Sequence, residues 1–455
     1  MSVLSSIFYF IVALGILITV HEFGHFWVAR KVGVKVLRFS IGFGKPLWKR
    51  QGKVDGTEYV VAAIPLGGYV KMLDEREGEV AENELHRAFN RQRLAARVAI
   101  VAAGPIFNFL FAIVAYWLIF VIGVTGMKPI VGDVAPGSLA EAGGFQRGDE
   151  IVAVAGTETP TWEPVVFALL DRVLDSNKEE IEVRDMDGRS LIRWIDMGAV
   201  SIDDMNSGNL LSQLGLSPQR PQVPAVIGRL LPAGAAEQAG MAVGDRVIAA
   251  DGGEIADWEA WVNYVRARPE QTIQITVQRS DGSVEQLAIT PAREAVDGED
   301  IGRIGAAVQM PENFLEEVRA EVRYSPLEAV WKAMVKTWDM SLLTLRMIGK
   351  MVVGEVSTEN LSGPISIAQY AGYSASVGFI PFLTFLALIS ISLGVLNFLP
   401  IPMLDGGHLF YYALEYITGK PLSDEVQMVG QQVGIVLLLG LMVFAFYNDI
   451  ARLLS

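Results

Sequence analysis

The chain contains no cysteine, only four histidines and no excess of basic charge. The lack of cysteine excludes disulfide scaffolds, thiolate nucleophiles and cysteine-based zinc sites. Lys and Arg number 37 against 51 Asp and Glu, which gives a net charge of −14. A nucleic-acid partner is therefore not expected, since such a partner requires a basic face. Any imidazole chemistry must use His21, His25, His86 or His408.

Charged residues are also scarce, at 19% of the 455 residues, whereas hydrophobic residues make up 51%. This balance is too apolar for an ordinary soluble enzyme and too polar for a chain made only of membrane helices. Four stretches approach the roughly 20 apolar residues that cross a bilayer. They are Val3–Val20, Leu94–Val124, Val377–Leu399 and Val429–Tyr447. The predicted fold class is a multi-span α-helical membrane protein with four transmembrane helices.

The distribution of basic residues predicts an orientation in the membrane. Residues 30–97 contain 14 Lys and Arg against 8 Asp and Glu. The positive-inside rule places this segment in the cytoplasm. Four crossings then place both termini and residues 125–376 on the outer side.

The outer region contains an internal repeat. Residues 136–156 align without gaps on residues 232–252, and Pro, Ala, Glu, Gly and Asp recur at matching positions. Each copy predicts a short helix, Ser138–Ala142 or Ala235–Gln238, then a Gly-Asp turn and a strand. Further strands are predicted at Thr272–Gln278 and Val284–Thr290.

Each repeat resembles a bacterial PDZ domain, so two tandem PDZ-like α+β domains are expected on the outer side. The steps Leu214-Gly215-Leu216 and Ile304-Gly305-Ala306 resemble the carboxylate-binding loop of that domain. The resemblance implies binding of peptide C-termini by strand addition. Two spacer domains without a ligand are the alternative.

The segment Ser325–Gly354 predicts an amphipathic helix, because its charged residues share one helical face. Two environments fit this pattern: the membrane surface, or packing against the second repeat.

The sequence His21-Glu22-Phe-Gly-His25 predicts a metal site. On a helix, histidines four residues apart project from one face and can hold a single ion, with Glu22 placed to accept a proton from water. Ionisable groups at the end of an apolar span also favour a functional site. Catalytic zinc usually has three protein ligands, so one more is needed. Pro400 and Pro402 break the third span just before Asp405, which is the preferred third ligand, with His408 as the competing one. His86, in a charged loop, is expected to be exposed.

These motifs together resemble the site-2 protease family of intramembrane zinc metalloproteases. The resemblance rests on His21–His25, on Asn397-x-x-Pro400-x-x-x-Leu404-Asp405-Gly406, on Ile64–Met72 and on Leu361–Ala368. It implies Zn²⁺ bound by His21, His25 and Asp405, with Glu22 as catalytic acid and base.

The same resemblance implies further site residues. Asn397 is expected to bind substrate backbone, with Pro400 and Pro402 in the same break motif. The segment Thr57–Met72 resembles a small membrane-associated β-structure that presents an edge to substrate, and its Gly67 and Gly68, with Gly42 and Gly44 in the preceding loop, are included as substrate-binding residues. Gly104-Pro105-x-x-Asn108 matches a motif that packs close to the active site.

The implied substrates are single-span membrane proteins already trimmed outside, such as an anti-sigma factor in envelope stress signalling, and remnant signal peptides. The implied location is the bacterial inner membrane, with the active site toward the cytoplasmic side. A membrane-anchored PDZ scaffold with a structural metal is the main alternative function, and a transporter is a second.

The predicted segments follow from these assignments. They are a first transmembrane helix at 1–34, β-structure and loop at 35–93, a second transmembrane helix at 94–126, PDZ-like domains at 127–220 and 221–310, a linker with amphipathic helices at 311–376, a third transmembrane helix at 377–408, a cytoplasmic loop at 409–427 and a fourth transmembrane helix at 428–455.

Overall fold

The computed structural model describes residues 3–173, 178–200, 210–219, 223–296, 299–310, 316, 318–357 and 362–454. Its helices are α1 Val3–Lys31, α2 Leu94–Ile122, α3 Leu139–Ala142, α4 Trp162–Val173, α5 Leu210–Leu214, α6 Ala235–Gln238, α7 Trp258–Arg266, α8 Pro326–Val352, α9 Pro364–Val377, α10 Phe379–Phe398, α11 Asp405–Thr418 and α12 Asp424–Leu454.

The strands are β1 Val36–Gln51, β2 Glu58–Met72, β3 Val124–Met127, β4 Val131–Val134, β5 Glu150–Val154, β6 Thr157–Glu158, β7 Lys178–Arg184, β8 Ser190–Asp196, β9 Leu216–Pro218, β10 Ile227–Leu230, β11 Arg246–Ala250, β12 Gly253–Glu254, β13 Ile273–Gln278, β14 Val284–Ile289, β15 Ala292–Val296, β16 Glu299–Arg303, β17 Ala306–Val308 and β18 Arg319–Val322.

Four of these helices are long and apolar enough to cross a membrane: α1, α2, α10 and α12. The predicted fold class is confirmed, since small antiparallel β-sheets lie between the candidate membrane helices. The first helix extends beyond the predicted apolar stretch to Lys31, because residues 21–31 contain neither proline nor a capping glycine. The metal-binding motif therefore lies inside a continuous helix.

Helix α2 is the centre of the helical bundle. It packs against α1, α8, α10 and α11. Small side chains allow these contacts, since Ala112 and Ala387 are fully buried and Gly394 packs on the ring of Phe109. Close approach through small residues is the usual way in which membrane helices associate.

The β-structure after α1 consists of β1 and β2, which both bend and pair along their whole length. Residues 38–41 of β1 have partners on two sides, at 58–61 and at 68–71 of β2. The second half of β1 pairs with 58–62. Within the described residues, 68–72 therefore forms one outer edge of this sheet, and its second side has no strand partner.

The two repeats have matching topologies, as the sequence periodicity predicts. Their four-stranded sheets have the orders β6-β5-β7-β8 and β12-β11-β13-β14, and the additional pairs are β4-β9 and β10-β17. Each sheet covers its own apolar core, centred on Ile151 and Ile181 in the first repeat and on Trp261 and Ile275 in the second. In each apolar-Gly-apolar step the glycine has a positive φ, at Gly215 and Gly305, and a short strand follows. The predicted boundary at 220/221 lies outside the described residues.

A strand pair that the sequence analysis missed joins the two ends of the repeat region. Strand β3 directly follows α2 and pairs antiparallel with β18, which precedes α8. The predicted boundary at 126/127 is therefore wrong, because α2 ends at Ile122 and β3 crosses that position. Residues 311–376, predicted as a linker with helices, also contain β18.

Helix α8 packs against α2 and α10 and forms ion pairs with the first repeat. Lys332 lies 3.0 Å from Glu158, and Arg346 lies 3.0 Å from Asp171. Burial lowers the pKa of Lys336, whose Nζ lies 4.4 Å from the centre of the Phe167 ring. The alternative in which this helix packs against the second repeat is wrong, because amphipathicity indicates which face is covered but not which domain covers it.

The predicted cytoplasmic loop at 409–427 is also wrong. Helix α11 continues to Thr418, and only residues 419–423 separate it from α12. Gly419, with φ of 70°, ends α11 in the left-handed conformation that favours glycine. Arg97 of α2 binds Glu415 of α11 with an Nη–Oε distance of 2.5 Å, which fixes α11 against the bundle.

A buried carboxylate joins α12 to the start of α9. Asp449 is 1% exposed and accepts hydrogen bonds from the backbone N–H groups of Gly363, Ile365 and Ser366, at 2.9, 2.8 and 3.1 Å. The Ser366 hydroxyl also donates to it, at 2.6 Å. The free N–H groups of the first turn of α9 are thus satisfied by a side chain of another helix.

We expect Asp449→Ala to destabilise the protein. The substitution removes a helix cap and leaves buried N–H groups without acceptors, which together lower the free energy of unfolding by about 2 kcal/mol or more. Thermal unfolding in detergent measures the effect. Glu425→Ala is the control, because Glu425 is an exposed acidic residue of the same helix. Equal unfolding midpoints for the two variants would contradict the prediction.

Candidate metal centre

Three side chains from two distant parts of the chain meet in the described structure: His21, His25 and Asp405. The Nε2 atoms of the histidines lie 3.3 Å apart, and Oδ2 of Asp405 lies 3.2 Å from that of His21 and 3.4 Å from that of His25. The three atoms form a nearly equilateral triangle. Tetrahedral zinc, with bonds of about 2.0–2.1 Å, separates neighbouring ligand atoms by about 3.3–3.4 Å. The three donor atoms therefore have the spacing of neighbouring ligands around a tetrahedral metal ion.

Hydrogen bonding shows why a cation suits this triangle. Nδ1 of His25 lies 2.8 Å from the carbonyl oxygen of Ile100, which can only accept a hydrogen bond. Nδ1 therefore carries the hydrogen, and Nε2 of a neutral His25 presents a lone pair. That lone pair faces the carboxylate oxygen of Asp405, a buried atom without a hydrogen-bond partner in the described residues. Electron pairs that converge in this way are stabilised by a metal ion between them.

The close approach of α1 and α2 depends on two glycines. A Cβ on Gly24 would collide with the backbone carbonyl of Ala103. A Cβ on Gly104 would collide with Nε2 of His25 and lie 2.7 Å from Cε1 of His21. Any side chain at position 104 would therefore push against both imidazoles.

The break between α10 and α11 brings Asp405 to the histidines. Helix α10 ends at Phe398, and the chain turns through Met403, whose φ of 84° is unusual for a residue with a side chain. Gly406 and Gly407 allow the next turn to pack on the carbonyls of Leu399 and Ile401. Asp405 is the first residue of α11, where the helix dipole favours a negative charge.

The competing third ligand, His408, is not part of the group of three. Its ring packs edge-on against that of Tyr411, with 6.2 Å between the ring centroids. His86 is exposed, as the sequence predicts.

Glu22 lies between the two histidines in sequence, and its side chain faces the β-structure. A Cβ on Gly68 would lie 2.8 Å from Cγ of Glu22 and 2.8 Å from Cγ2 of Ile18. The edge segment 68–72 thus begins directly beside Glu22. Gly68 is therefore a position at which this sheet packs closely on α1.

The other predicted site residues lie near this edge or in the break. Gly67 packs against the Phe43 ring, which stacks on Tyr69 at 6.1 Å, while Gly42 faces the carbonyls of Ala62 and Ile64. Gly44 touches only the side chain of Ile64. In the break, Asn397 is half-buried near the end of α10, Pro400 is exposed, and Pro402 packs against Gly434 of α12. The structure brings neither these six residues nor Gly68 into the metal triangle.

Comparison with known proteins agrees with the geometry of this site. Residues 9–441 match the model of peptidase family M50. The chain belongs to this family. It is 44% identical over 448 residues to the regulator of sigma-E protease RseP of Escherichia coli strain K12, and the match covers 98% of both chains. It is 43% identical over 456 residues to the regulator of sigma E protease of Salmonella typhi, with full coverage of both. A putative zinc metalloprotease of Vibrio cholerae is 45% identical over 446 residues, with 98% of both chains covered.

The predicted enzyme class is therefore confirmed: the chain is a zinc metalloprotease of the site-2 type that acts within the membrane. The triangle of His21, His25 and Asp405 is the candidate metal site, because these residues offer the donor atoms that zinc prefers. A scaffold without activity and a transporter are both excluded by this assignment.

A residue of α2 next to the metal triangle makes a contact that the sequence analysis did not predict. Asn108 of α2 is fully buried, and its amide nitrogen lies 3.1 Å from Nδ1 of His21. The motif that contains Asn108 predicted a position close to the active site, but it did not identify His21 as the residue that Asn108 contacts.

We expect Gly104→Ala to lower zinc affinity by about tenfold or more, because the added methyl group displaces both imidazoles. Gly15→Ala is the matched control: Gly15 lies in the interior of α1, and a Cβ there meets no atom within 4 Å. Zinc content of the purified proteins after equilibration with a chelator measures the effect. Equal zinc retention by the two variants would contradict the close contact at Gly104.

Proposed function

We propose that this M50 peptidase cleaves peptide bonds in transmembrane segments with Glu22 as the catalytic acid and base and His21, His25 and Asp405 as zinc ligands. The observation that carries the proposal is the triangle of donor atoms, 3.2 to 3.4 Å apart, with Glu22 next to it on the same helix. No other group of His, Asp and Glu in the described residues has ligand atoms so placed.

A zinc ion held by His21, His25 and Asp405 would polarise the scissile carbonyl and make hydroxide available from water near neutral pH. Glu22 removes a proton from the attacking water and later delivers it to the leaving nitrogen. Asp405 would contribute a negative charge to the ion's binding, and the Ile100 carbonyl accepts from Nδ1 of His25, which leaves the Nε2 lone pair toward Asp405. The half-buried setting of Glu22 limits competition from bulk water.

The edge segment 68–72 supports a role in substrate binding. A transmembrane helix satisfies its own backbone hydrogen bonds, so it must unwind before an amide bond reaches Glu22. A strand edge beside Glu22 offers replacement donors and acceptors by strand addition. Gly67 and Gly68 allow a substrate backbone to approach, and Asn397, Pro400 and Pro402 in the break lie on the chain that carries Asp405. Gly42 and Gly44 both have a positive φ and flank Phe43, whose ring stacks on Tyr69 of this edge segment.

The proposed location is the bacterial inner membrane, with both termini and the two repeats in the periplasm. The support is the charge distribution, because residues 30–97 between α1 and α2 are rich in Lys and Arg. Each of α1 and α10 then runs from outside to inside, and the metal triangle lies toward the cytoplasmic side.

The names of the relatives suggest the class of substrate. Several are regulators of sigma-E, which favours a membrane-bound anti-sigma factor as substrate of this chain as well. The two PDZ-like repeats would bind C-terminal peptides or limit the size of the outer part of the substrate. Their attachment supports the second role, since β3–β18 and two ion pairs with α8 fix the first repeat to the bundle.

We expect Glu22→Gln to abolish cleavage and to retain zinc, since the substitution removes the proton acceptor but none of the ligands. Cleavage of a labelled transmembrane peptide in detergent, with zinc content measured on the same sample, tests this. Retained cleavage would overturn the role of Glu22.

Asp405→Ala should lose zinc, whereas His408→Ala should retain it, because only Asp405 belongs to the triangle. Metal analysis of the two purified proteins decides between them. Full zinc occupancy in Asp405→Ala together with loss in His408→Ala would exchange the two assignments.

Gly68→Val should reduce cleavage strongly at unchanged zinc content, because its side chain would push the edge segment away from Glu22. Ala63→Val is the matched control on an exposed position of the same strand. Equal activity of the two variants would show that the sheet does not position substrate beside Glu22.

A further inference from the structure

The amide of Asn108, beside the metal triangle, has incomplete hydrogen bonding within the described residues. Asn108 is fully buried, its Nδ2 lies 3.1 Å from Nδ1 of His21, and its Oδ1 has no hydrogen-bond partner in the described residues. A buried amide oxygen without a partner costs about 1–3 kcal/mol. The amide nitrogen of the same side chain, in contrast, does have a partner, which is Nδ1 of His21.

The direction of this hydrogen bond determines whether His21 can bind a metal ion. When Nδ2 donates to Nδ1 of His21, a neutral imidazole must carry its hydrogen on Nε2. A protonated Nε2 has no lone pair for a ligand bond. In the opposite arrangement, Nδ1 of His21 donates to the amide oxygen, and Nε2 presents its lone pair to the triangle.

The two arrangements differ by a rotation of 180° about the Cβ–Cγ bond of Asn108. This rotation exchanges the amide oxygen and nitrogen and changes the volume of the side chain very little. It also gives the unpartnered oxygen a donor. His25 shows the equivalent arrangement already, since its Nδ1 faces the carbonyl of Ile100 at 2.8 Å.

The backbone of α2 holds Asn108 where this contact is made. The Ser390 hydroxyl of α10 donates to the carbonyl oxygen of Asn108 at 2.9 Å, and Ser390 is fully buried. Gly104, one turn earlier, lets the imidazoles reach α2. Both histidines therefore have Nδ1 within hydrogen-bond distance of α2, His25 of a backbone carbonyl and His21 of a side-chain amide.

We propose that Asn108 is a positioning residue that holds His21 in its metal-binding tautomer by accepting a hydrogen bond from Nδ1 through its amide oxygen. The inference rests on the metal centre described under the proposed function. It adds a role for a residue that is not one of the three donor residues. Partners of this kind orient a ligating imidazole and increase its basicity.

Two substitutions separate an acceptor at position 108 from a donor. Asn108→Leu has a similar volume but no acceptor, and zinc affinity should fall by about 10–100-fold, as is typical for such partners. Asn108→Asp offers acceptor oxygens but no amide donor, and zinc affinity should equal or exceed that of the unsubstituted protein. Ser390→Ala is the control, since it removes a neighbouring hydrogen bond to the backbone but leaves the amide in place.

The measurement is the zinc dissociation constant of the full-length protein in detergent, obtained by competition with a chelator of known affinity. Unfolding midpoints in excess chelator are compared as well, so that a loss of fold is separated from a loss of zinc. Long-range ¹⁵N correlation spectra of the four histidines provide an independent readout, because zinc-loaded protein should show a hydrogen on Nδ1 of His21.

Unchanged zinc affinity in Asn108→Leu would overturn the proposal. So would an equal loss in Asn108→Asp and Asn108→Leu, which would show that the amide acts as a donor. If Asn108→Leu does not fold, the affinity of Asn108→Asp and the histidine spectra decide the question alone. If the unsubstituted protein binds no zinc, the metal centre itself is wrong, which is a different result from a zinc protein that is indifferent to residue 108.

Discussion

The structure depends on the close contact between α1 and α2, in which polar groups are placed where little water reaches them. An imidazole in such a setting must have a partner for each nitrogen. Helix α2 supplies these partners from one surface, with the Ile100 carbonyl next to His25 and the Asn108 amide next to His21. The absence of a side chain at Gly104 leaves space for both rings. The two helices can approach this closely only because Gly24 faces the backbone of Ala103. The metal centre is thus a property of a helix pair, completed by a third element.

That third element is a break rather than a helix. Backbone that leaves the helical pattern inside a membrane protein must find other hydrogen-bond partners or line a cavity. Residues 399–404 do so in a tight turn with one positive φ at Met403, and Gly406 and Gly407 pack on the carbonyls of the break itself. The turn delivers Asp405 at the start of α11, whose position is fixed by the ion pair between Arg97 and Glu415. Helix α2 therefore positions the ligands from both sides, the histidines directly and the aspartate through α11.

Much of this arrangement could be predicted from the sequence, because its signals are local or topological. Histidines four residues apart define one face of a helix, two prolines define a break, and charge bias places both at the same depth. Three features were beyond such reasoning. Strands β3 and β18 pair although they lie about 190 positions apart in the sequence. Each strand has only 4 residues, which is too short for a recognisable alternation of apolar and polar residues. The partner of α8 depends on which surface is nearby in the fold. The role of Asn108 depends on which atom of an amide faces an imidazole.

The attachment of the two repeats follows from the same packing. Strands β3 and β18 bring the entry and the exit of the repeat region together at the end of α2, and α8 then returns along α2 with ion pairs to the first repeat. The same α2 contacts α1, which carries both histidines, and it contacts α10 and α11, which precede and carry Asp405. One helix therefore contacts both the attachment of the repeat region and the elements that hold each donor of the metal centre.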